Sequence, residues 1–270
     1  MKKSFDNLTI RLNKFIAMSG AASRRHADDL IREGAVRVNG KTITDLGTKV
    51  NPNHDQVFVQ NKPIRPVQDL LYVAFNKPTR VVSTMNDPQG RPSLADYFAK
   101  ARARIFPVGR LDWDSEGLLL LTNDGAFAQK VSHPKHGVAK TYLAKLNGLP
   151  TDEQLNKLTR GVSIIGGKAQ ALYVERLGSR GGKSSGGKSG SGQYGWVKII
   201  INEGRNRQVR HMFEKIGFDV KKLQRVAVGA YKLGSLERGR FRVLTIEELE
   251  RVFRPPKELI SRHAGRRLHE

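Results

Sequence analysis

The pattern of apolar residues changes near Pro63 and Pro66, and this change limits the folds that the chain can adopt. Before the two prolines, short helical repeats are followed by a hairpin signal, whereas after them strand-like runs alternate with helical ones. Proline is typical of turns and linkers, so a linker is expected between the two patterns. We therefore predict two domains, residues 8–67 and residues 70–254, followed by a short basic tail at residues 255–270.

The first domain is predicted to contain two short helices and a hairpin. Apolar residues recur at helical spacing over residues 12–16 and again over residues 27–31, and Gly34 is in the position of a C-terminal stop. Asn39-Gly40 is a strong signal for a two-residue hairpin turn. Short strands are expected around this turn and farther along the chain, at residues 36–38, 42–44 and 57–59.

The second domain is predicted to be of the α+β class. Four apolar runs are strand-like: residues 71–75, 118–121, 142–144 and 197–201. Three segments have helical character: residues 151–158, 207–216 and 245–252. The last of these opens with Thr245 and Glu248, a capping-box pair. Because helices and strands do not alternate strictly, we expect a mixed domain rather than a βαβ repeat.

The chain carries a strong positive charge. It has 48 lysines and arginines but only 25 aspartates and glutamates, which gives a formal net charge of +23. A surface this basic attracts polyanions, so nucleic acid is the leading partner. Charge alone leaves two alternatives, a cationic protein kept soluble by its charge and a protein bound to an anionic membrane surface. The membrane alternative lacks an amphipathic helix with one apolar face and one lysine-rich face.

The absence of cysteine excludes disulfides, zinc–thiolate sites and thiol nucleophiles. The N-terminus is polar, and no stretch approaches the roughly 18 apolar residues of a membrane-spanning helix. We therefore expect a cytoplasmic protein. His133 and His136 lie three residues apart, but no third ligand is near them in the sequence, so no metal site is predicted.

Residues 178–193 consist almost entirely of Gly, Ser, Lys and Arg, which predicts a flexible loop. Within it, residues 182–189 match the phosphate-binding expression G-x-x-x-x-G-K-S. That site requires a helix directly afterwards, whereas residues 190–192 are Gly-Ser-Gly, so nucleotide binding is not predicted. The basic tail is expected to be frayed.

Arg24 and Arg25 follow Ser23 at the predicted start of the second helix. Backbone amides and guanidinium groups together can bind phosphate there, although an ordinary solvated helix face has the same pattern. Residues 10–59, taken whole, resemble the S4-type RNA-binding domain. The likeness is carried by four motifs: Arg11-Leu12-Asn13-Lys14, Ser19-Gly20, Ser23-Arg24-Arg25 and Val38-Asn39-Gly40-Lys41. The resemblance implies binding to structured RNA.

Asp112 is the strongest candidate for a reacting group, because it lies in a predicted turn between apolar strands. Opposite charge from Arg110, two residues earlier, together with hydrogen bonds can hold such a carboxylate ionised, as a nucleophile or a base. The alternative is a turn aspartate that accepts hydrogen bonds from backbone amides. A glycosidase-like pair with Asp114 or Glu116 is disfavoured, because such a pair needs one acid on each side of the scissile bond.

The chain around and beyond Asp112 resembles the RsuA/RluB/RluE/RluF family of pseudouridine synthases. The motifs that carry the likeness are, in chain order, Asn76-Lys77-Pro78, Asn86-Asp87-Pro88, Gly90-Arg91-Pro92, Val108-Gly109-Arg110-Leu111-Asp112, Ser115-Glu116-Gly117 with the following apolar strand and Thr122-Asn123-Asp124-Gly125, Lys140-Thr141-Tyr142, the residues from Glu203 to Arg210, and Val220-Lys221-Lys222-Leu223. The resemblance implies an α+β fold, with a small αα-plus-β module followed by a mixed, mainly antiparallel-sheet catalytic domain. It also implies isomerisation of a uridine in ribosomal RNA, with no cofactor or metal.

The resemblance also implies roles for individual residues. Asp112 matches the catalytic aspartate, Tyr142 the aromatic residue that packs against the target base, and Arg207 or Arg210 the ion-pair partner of the aspartate. We favour Arg210, although the two arginines lie three apart on one predicted helical face. The residues expected to bind substrate or RNA are Arg24, Arg25, Arg110, Arg205 and Arg207. Covalent attack by Asp112 and removal of the 2′ proton to give a glycal both stay open.

The motifs at residues 86–92 and 203–208 are most similar to the RluB branch, whose target lies in large-subunit ribosomal RNA near the peptidyl transferase centre. The N-terminal module also resembles that of RluF, and a small-subunit target, as in RsuA, is the next alternative. A non-catalytic ribosome-assembly factor is the alternative from another class, but intact Asp112, Tyr142 and Arg210 argue against it. The expected partner is ribosomal RNA or an assembly particle, bound by a monomer.

Overall fold

The computed structural model describes residues 9–67, 69–99, 101, 103–177 and 194–266. The chain divides into two compact units. The first runs as far as Leu71 and includes the short segments 101–105 and 123–125, which sequence patterns do not predict. The remainder forms the second unit. The loop predicted at residues 178–193, and the P-loop-like match in it, lie outside the described residues.

The described residues of the first unit form two helices and six short strands. In chain order these are β1 (Ile10–Arg11), α1 (Leu12–Met18), α2 (Arg24–Arg32), β2 (Val36–Val38), β3 (Lys41–Thr42), β4 (Lys49–Val50), β5 (Val57–Val59) and β6 (Lys62–Ile64). One sheet has the order β3-β2-β5-β6, and β1 pairs with β4. The predicted helices and hairpin are confirmed, although the strand expected at residues 42–44 is limited to Lys41–Thr42.

Local chemistry explains these elements. The Ser23 hydroxyl accepts a hydrogen bond from the His26 amide (3.2 Å) and so caps α2. Asn39 and Gly40 both have positive φ, at 49° and 83°, as the tight turn between β2 and β3 requires. The apolar faces of the two helices pack with strand residues into one core, whose helical members are Leu12, Phe15, Ile16, Ala27, Leu30 and Ile31.

The second unit contains eleven strands and six α-helices among its described residues. The strands are β7 (Tyr72–Lys77), β8 (Phe106–Pro107), β9 (Ser115–Thr122), β10 (Lys140–Leu146), β11 (Val162–Ile164), β12 (Gly167–Ala169), β13 (Tyr173–Arg176), β14 (Gly195–Ile201), β15 (Val220–Val228), β16 (Tyr231–Lys232) and β17 (Phe241–Val243). The helices are α3 (Ala95–Phe98), α4 (Gly125–Ser132), α5 (Asp152–Arg160), α6 (Gln208–Glu214), α7 (Ile246–Phe253) and α8 (Lys257–Arg266).

A nine-stranded sheet organises this unit in the order β13-β14-β10-β15-β9-β7-β17, with β16 added to β15 and β8 added to β9. Its strand pairs are antiparallel, apart from the parallel pair β9–β15. The predicted α+β class with a mixed, mainly antiparallel sheet is therefore confirmed. The predicted capping box of α7 is also present, because Thr245 and Glu248 exchange side-chain-to-backbone hydrogen bonds.

Strand β9 lies inside this sheet and is buried along its whole length. A strand covered on both faces is expected to be continuously apolar, as in the run Leu118–Leu121. Gly117 allows β9 to pair with β15, because a Cβ at this position would lie 2.3 Å from the Arg225 carbonyl oxygen. The close approach of the two strands fixes the start of β9, and therefore the position of the turn that carries Asp112 just before it.

The basic tail differs from the expectation of a frayed end, because residues 257–266 form α8. Glu258 ties this helix to the sheet by accepting a hydrogen bond from Lys198 (3.3 Å), which also contacts Glu175 (2.9 Å). The remaining residues, 267–270, lie outside the described part of the chain. Within the part that is described, no helix combines the length and apolar character needed to cross a membrane.

Candidate active site

The turn that carries Asp112 is fixed on both sides. Ser83 donates its hydroxyl to the Leu111 carbonyl (2.7 Å) and accepts the Leu111 amide (3.1 Å). On the other side, the Ser115 amide donates to the Asp112 carbonyl (3.1 Å). The Asp112 side chain is half-buried. The predicted placement in a turn before an apolar strand is confirmed.

A small cleft, with a volume of about 110 Å³, opens beside Asp112. It is well below the roughly 300–1,000 Å³ of typical small-molecule sites, so it suits one planar ring rather than an extended ligand. Five of the predicted site residues line it: Arg110, Asp112, Tyr142, Arg205 and Arg207. The cleft thus brings a carboxylate, an aromatic ring and several guanidinium groups together.

Tyr142 reaches the cleft from the middle of β10, where its neighbours across the sheet are Ile199 and Arg225. It is 8% exposed, so its ring position is set by packing. A ring held this firmly at the wall of a cleft can stack on a planar ligand.

The arginines of α6 are paired differently from the expectation. Arg207 contacts both carboxylate oxygens of Asp114 (3.1 Å each), and Arg210 contacts one of them (3.1 Å). No ion pair joins either arginine to Asp112 in the described structure. The predicted helix was also too long at its start, because Arg207 is the residue that precedes α6. Asp114, which the sequence suggests only as a possible member of a carboxylate pair, is the group that pairs with both arginines.

Electrostatics reflects this arrangement. Burial raises the pKa of Asp114, but the hydrogen bonds and charges of Arg207 and Arg210 outweigh burial and hold that pKa below its usual value. The hydrogen bonds that Arg207 donates to Asp114 raise the pKa of Arg207, and the charge of Asp112 adds to this effect. Asp112 therefore acts on Arg207 at a distance, without contacting it.

Arg205 binds to the loop between two strands, which the sequence does not indicate. Its guanidinium donates to the carbonyls of Gly166 (2.9 Å) and Lys168 (3.0 Å), and it pairs with Glu203 (3.1 Å). It therefore holds the turn between β11 and β12 while lining the cleft. Arg110, by contrast, is exposed and has no ion pair within the described residues.

Three buried basic residues near Asp112 are missing from the predicted site. Lys77 is fully buried and donates to the carbonyls of Pro78 (2.8 Å) and Ser115 (2.9 Å). Lys140 and Arg225 line the cleft, and Arg225 donates to the Leu118 carbonyl (2.7 Å). Burial lowers the pKa of both lysines to about 8.

A signal for Lys140 was available in the sequence. Residues two apart on a strand share a face, so Lys140 must lie on the same face as Tyr142. The rule does not apply to Lys77 and Arg225, because their nearness to Asp112 depends on the order of strands in the sheet.

Arg24 and Arg25 belong to the first unit and do not line the cleft. Both are exposed in the first turn of α2, and neither forms an ion pair in the part of the chain that the structure describes. They remain available to a ligand, as a phosphate-binding role requires.

Comparisons with known proteins agree with this geometry. The model of a family described as RNA pseudouridylate synthase matches residues 71–215, and that of the S4 domain matches residues 10–57. Ribosomal large subunit pseudouridine synthase B of Bacillus subtilis is 44% identical over 245 residues, which cover 90% of this chain and 95% of that relative. Dual-specificity RNA pseudouridine synthase RluF of Escherichia coli K12 is 35% identical, over 91% of this chain and 79% of the relative.

A solved structure of a related enzyme is also similar to this chain. A crystal structure of a pseudouridylate synthase superimposes with a TM-score of 0.62 at 29% identity. The match covers 90% of this chain and 99% of that protein, so both units take part in it.

Proposed function

The chain belongs to the RNA pseudouridylate synthase family, and on this premise we propose that it converts one uridine of large-subunit ribosomal RNA, near the peptidyl transferase centre, to pseudouridine. The relative from Bacillus subtilis, whose name specifies the large ribosomal subunit, supports the choice of RNA. The chain matches 95% of the length of that relative, so the likeness extends over both units.

The observation that carries the proposal is the meeting of Asp112 and Tyr142 in a cleft lined with basic side chains. In the reaction, the N1–C1′ bond breaks, the uracil turns, C5 bonds to C1′, and the C5 proton is replaced by one on N1. The base must first leave its stack so that the enzyme can reach it. In this proposal the extruded base enters the cleft and turns against the ring of Tyr142, which lines it.

We assign the central chemical role to the Asp112 carboxylate. It either adds to the nucleotide or removes the 2′ proton, and both routes require the ionised form. The positive charges of Lys77, Arg207 and Arg210 interact with it. Arg210, proposed from the resemblance as the partner of Asp112, acts here through its charge rather than through contact.

We assign RNA phosphate contacts to Arg24 and Arg25 in the first unit and to Arg110 at the cleft. All three are exposed and free of ion pairs within the described residues. Guanidinium groups in this state can bind phosphate without first breaking a contact. We infer a cytoplasmic location, where a ribosomal substrate would be found, and the monomeric state stays a prediction.

The test is a pseudouridine map of ribosomal RNA, made by chemical labelling and reverse-transcription stops in cells that lack the gene. One large-subunit stop should vanish on deletion and return with the wild type or with Asp152→Asn, a control at an exposed carboxylate of α5. It should not return with Asp112→Asn. A map that does not change on deletion would favour the binding-factor alternative, and a lost stop in small-subunit RNA would overturn the choice of RNA.

A further inference from the structure

Asp114 pairs with both Arg207 and Arg210, one of which the resemblance would assign to Asp112. Arg207 approaches it with two nitrogens, each 3.1 Å from one carboxylate oxygen, which is the two-point geometry that guanidinium and carboxylate groups favour. Arg210 contacts the Asp114 carboxylate at 3.1 Å and also donates to its main-chain carbonyl at 3.1 Å. One aspartate therefore organises both guanidinium groups.

Each arginine is held in a position that needs such an anchor. The backbone of Arg207 has a φ of 49°, in the left-handed region that residues other than glycine rarely adopt. The Arg210 side chain is only 11% exposed, and it donates to the Val220 carbonyl at 2.7 Å. Its Nε is buried without a hydrogen-bond partner in the described structure. A buried guanidinium with an unpaired nitrogen depends strongly on the contacts that it does make.

This arrangement leaves the Asp112 carboxylate open. Within the described residues it forms no side-chain hydrogen bond or ion pair. Its negative charge nevertheless acts to raise the pKa of Arg207 and of Arg210. An ion pair made directly with Asp112 would occupy the oxygens that have to reach the nucleotide. Guanidinium groups held nearby on another acid supply positive charge without occupying them.

We propose that Asp114 is a positioning residue that keeps Arg207 and Arg210 beside the Asp112 carboxylate but off its oxygens. The inference rests on the proposed function and adds the device that keeps the reacting acid accessible. For the pair with Arg207, stability alone is a weak reason for the arrangement, because Asp114 and Arg207 are each 41% exposed and ion pairs at such sites stabilise a fold little.

The test is a double-mutant cycle that measures kcat and KM on a ribosomal RNA fragment. Asp114→Asn keeps the shape of the side chain and removes its charge, so the arginines are free to turn to Asp112. We expect kcat to fall about tenfold or more, with KM changed less than about threefold, because a loss confined to the bound complex appears in kcat. Asp114→Glu should recover part of kcat, and Asp152→Asn should match the wild type.

The double mutant shows whether Asp114 affects kcat through the arginines or independently of them. In an Arg207→Gln background, Asp114→Asn should lower kcat by a smaller factor than it does in the wild type, because one of the two groups that it positions is already gone. Effects that multiply, or an Asp114→Asn variant with wild-type kcat, would overturn the inference. If wild-type protein forms no pseudouridine at all, the proposed function itself fails, and the inference fails with it.

A second variant serves if Asp114→Asn does not fold. Arg207→Lys keeps the charge but cannot make the two-point contact with Asp114. We expect a lower kcat at an unchanged KM, since the positive charge at this position is kept. Wild-type kcat in Arg207→Lys would show that the geometry of this pair does not matter, and that would contradict the inference.

Discussion

Lys140 carries a charge that depends on pH within the range where RNA enzymes are assayed. Burial lowers its pKa from 10.5 to about 8, with a further contribution from the charge of Arg225. Between these two pH values the unfolded chain binds more protons than the folded one, so the free energy of unfolding rises with pH. The cost of burying the charge is fully present below about pH 8 and disappears above about 10.5. Lys77, with a pKa of about 8, contributes in the same direction.

We therefore expect Lys140→Met to be more stable than the wild type at pH 7, by about 1–3 kcal/mol, because an apolar side chain avoids that cost. The advantage should shrink as the pH rises toward 10. Urea unfolding at several pH values measures both effects, with Lys215→Met as a control at an exposed position. A stability difference that stays constant with pH would contradict the assignment of the charge.

Individual residues differ in how far the sequence predicts them. Asp112 and Tyr142 do meet in one cleft, as the family motifs imply. The pairing of Arg207 and Arg210 with Asp114 was not predictable, because it depends on where α6 begins relative to the turn before β9. A motif carries residue types in order, whereas the choice between two aspartates two residues apart is made by tertiary structure.

At the scale of elements, Gly117 is the residue on which the position of β9 depends most directly. Its φ is 102°, and an added Cβ would lie 2.3 Å from the Arg225 carbonyl oxygen and 2.9 Å from the Arg225 nitrogen. We expect Gly117→Ala to destabilise the fold by about 2–4 kcal/mol, because both strain and overlap with backbone must be relieved.

Thermal unfolding monitored by circular dichroism tests this expectation. Gly125→Ala is the matched control, since Gly125 begins α4 and an added Cβ would meet nothing within 4 Å. It should have the Tm of the wild type or a slightly higher one. Equal Tm values for the two alanine variants would show that the β9–β15 contact tolerates a side chain.

The elements themselves follow the sequence closely where periodicity is strong. The apolar run at residues 118–121 lies in β9, and the capping boxes of α5 and α7 begin those helices at Thr151 and Thr245. The helix α8 was not predicted, because Lys198 and Glu258, the pair that ties it to the sheet, are 60 residues apart in the chain. Contacts of this range leave no local pattern.

At the scale of the whole molecule, we expect RNA affinity to depend on many basic residues and the chemical step to depend on few. The net charge of +23 is spread over the chain, whereas the proposed chemistry depends on one carboxylate. We expect Asp112→Asn to abolish isomerisation but to bind RNA within a few-fold of the wild type, because contacts to phosphate dominate affinity. Filter binding at several salt concentrations, beside a pseudouridine assay, should give the same salt dependence for both proteins. A parallel loss of affinity and rate would refute this division.

The sheet order also has a consequence for synthesis. Tyr142 lies on β10, the turn of Asp112 leads into β9, and β15 lies between these two strands although it follows both in the chain. During translation, both residues therefore leave the ribosome before the strand that joins their elements has been made. A nascent or truncated chain that ends before Val220 contains the proposed catalytic pair but lacks the strand that pairs with both of their elements. We therefore expect catalytic competence to arise only after β15 has been made, late in the synthesis of the chain.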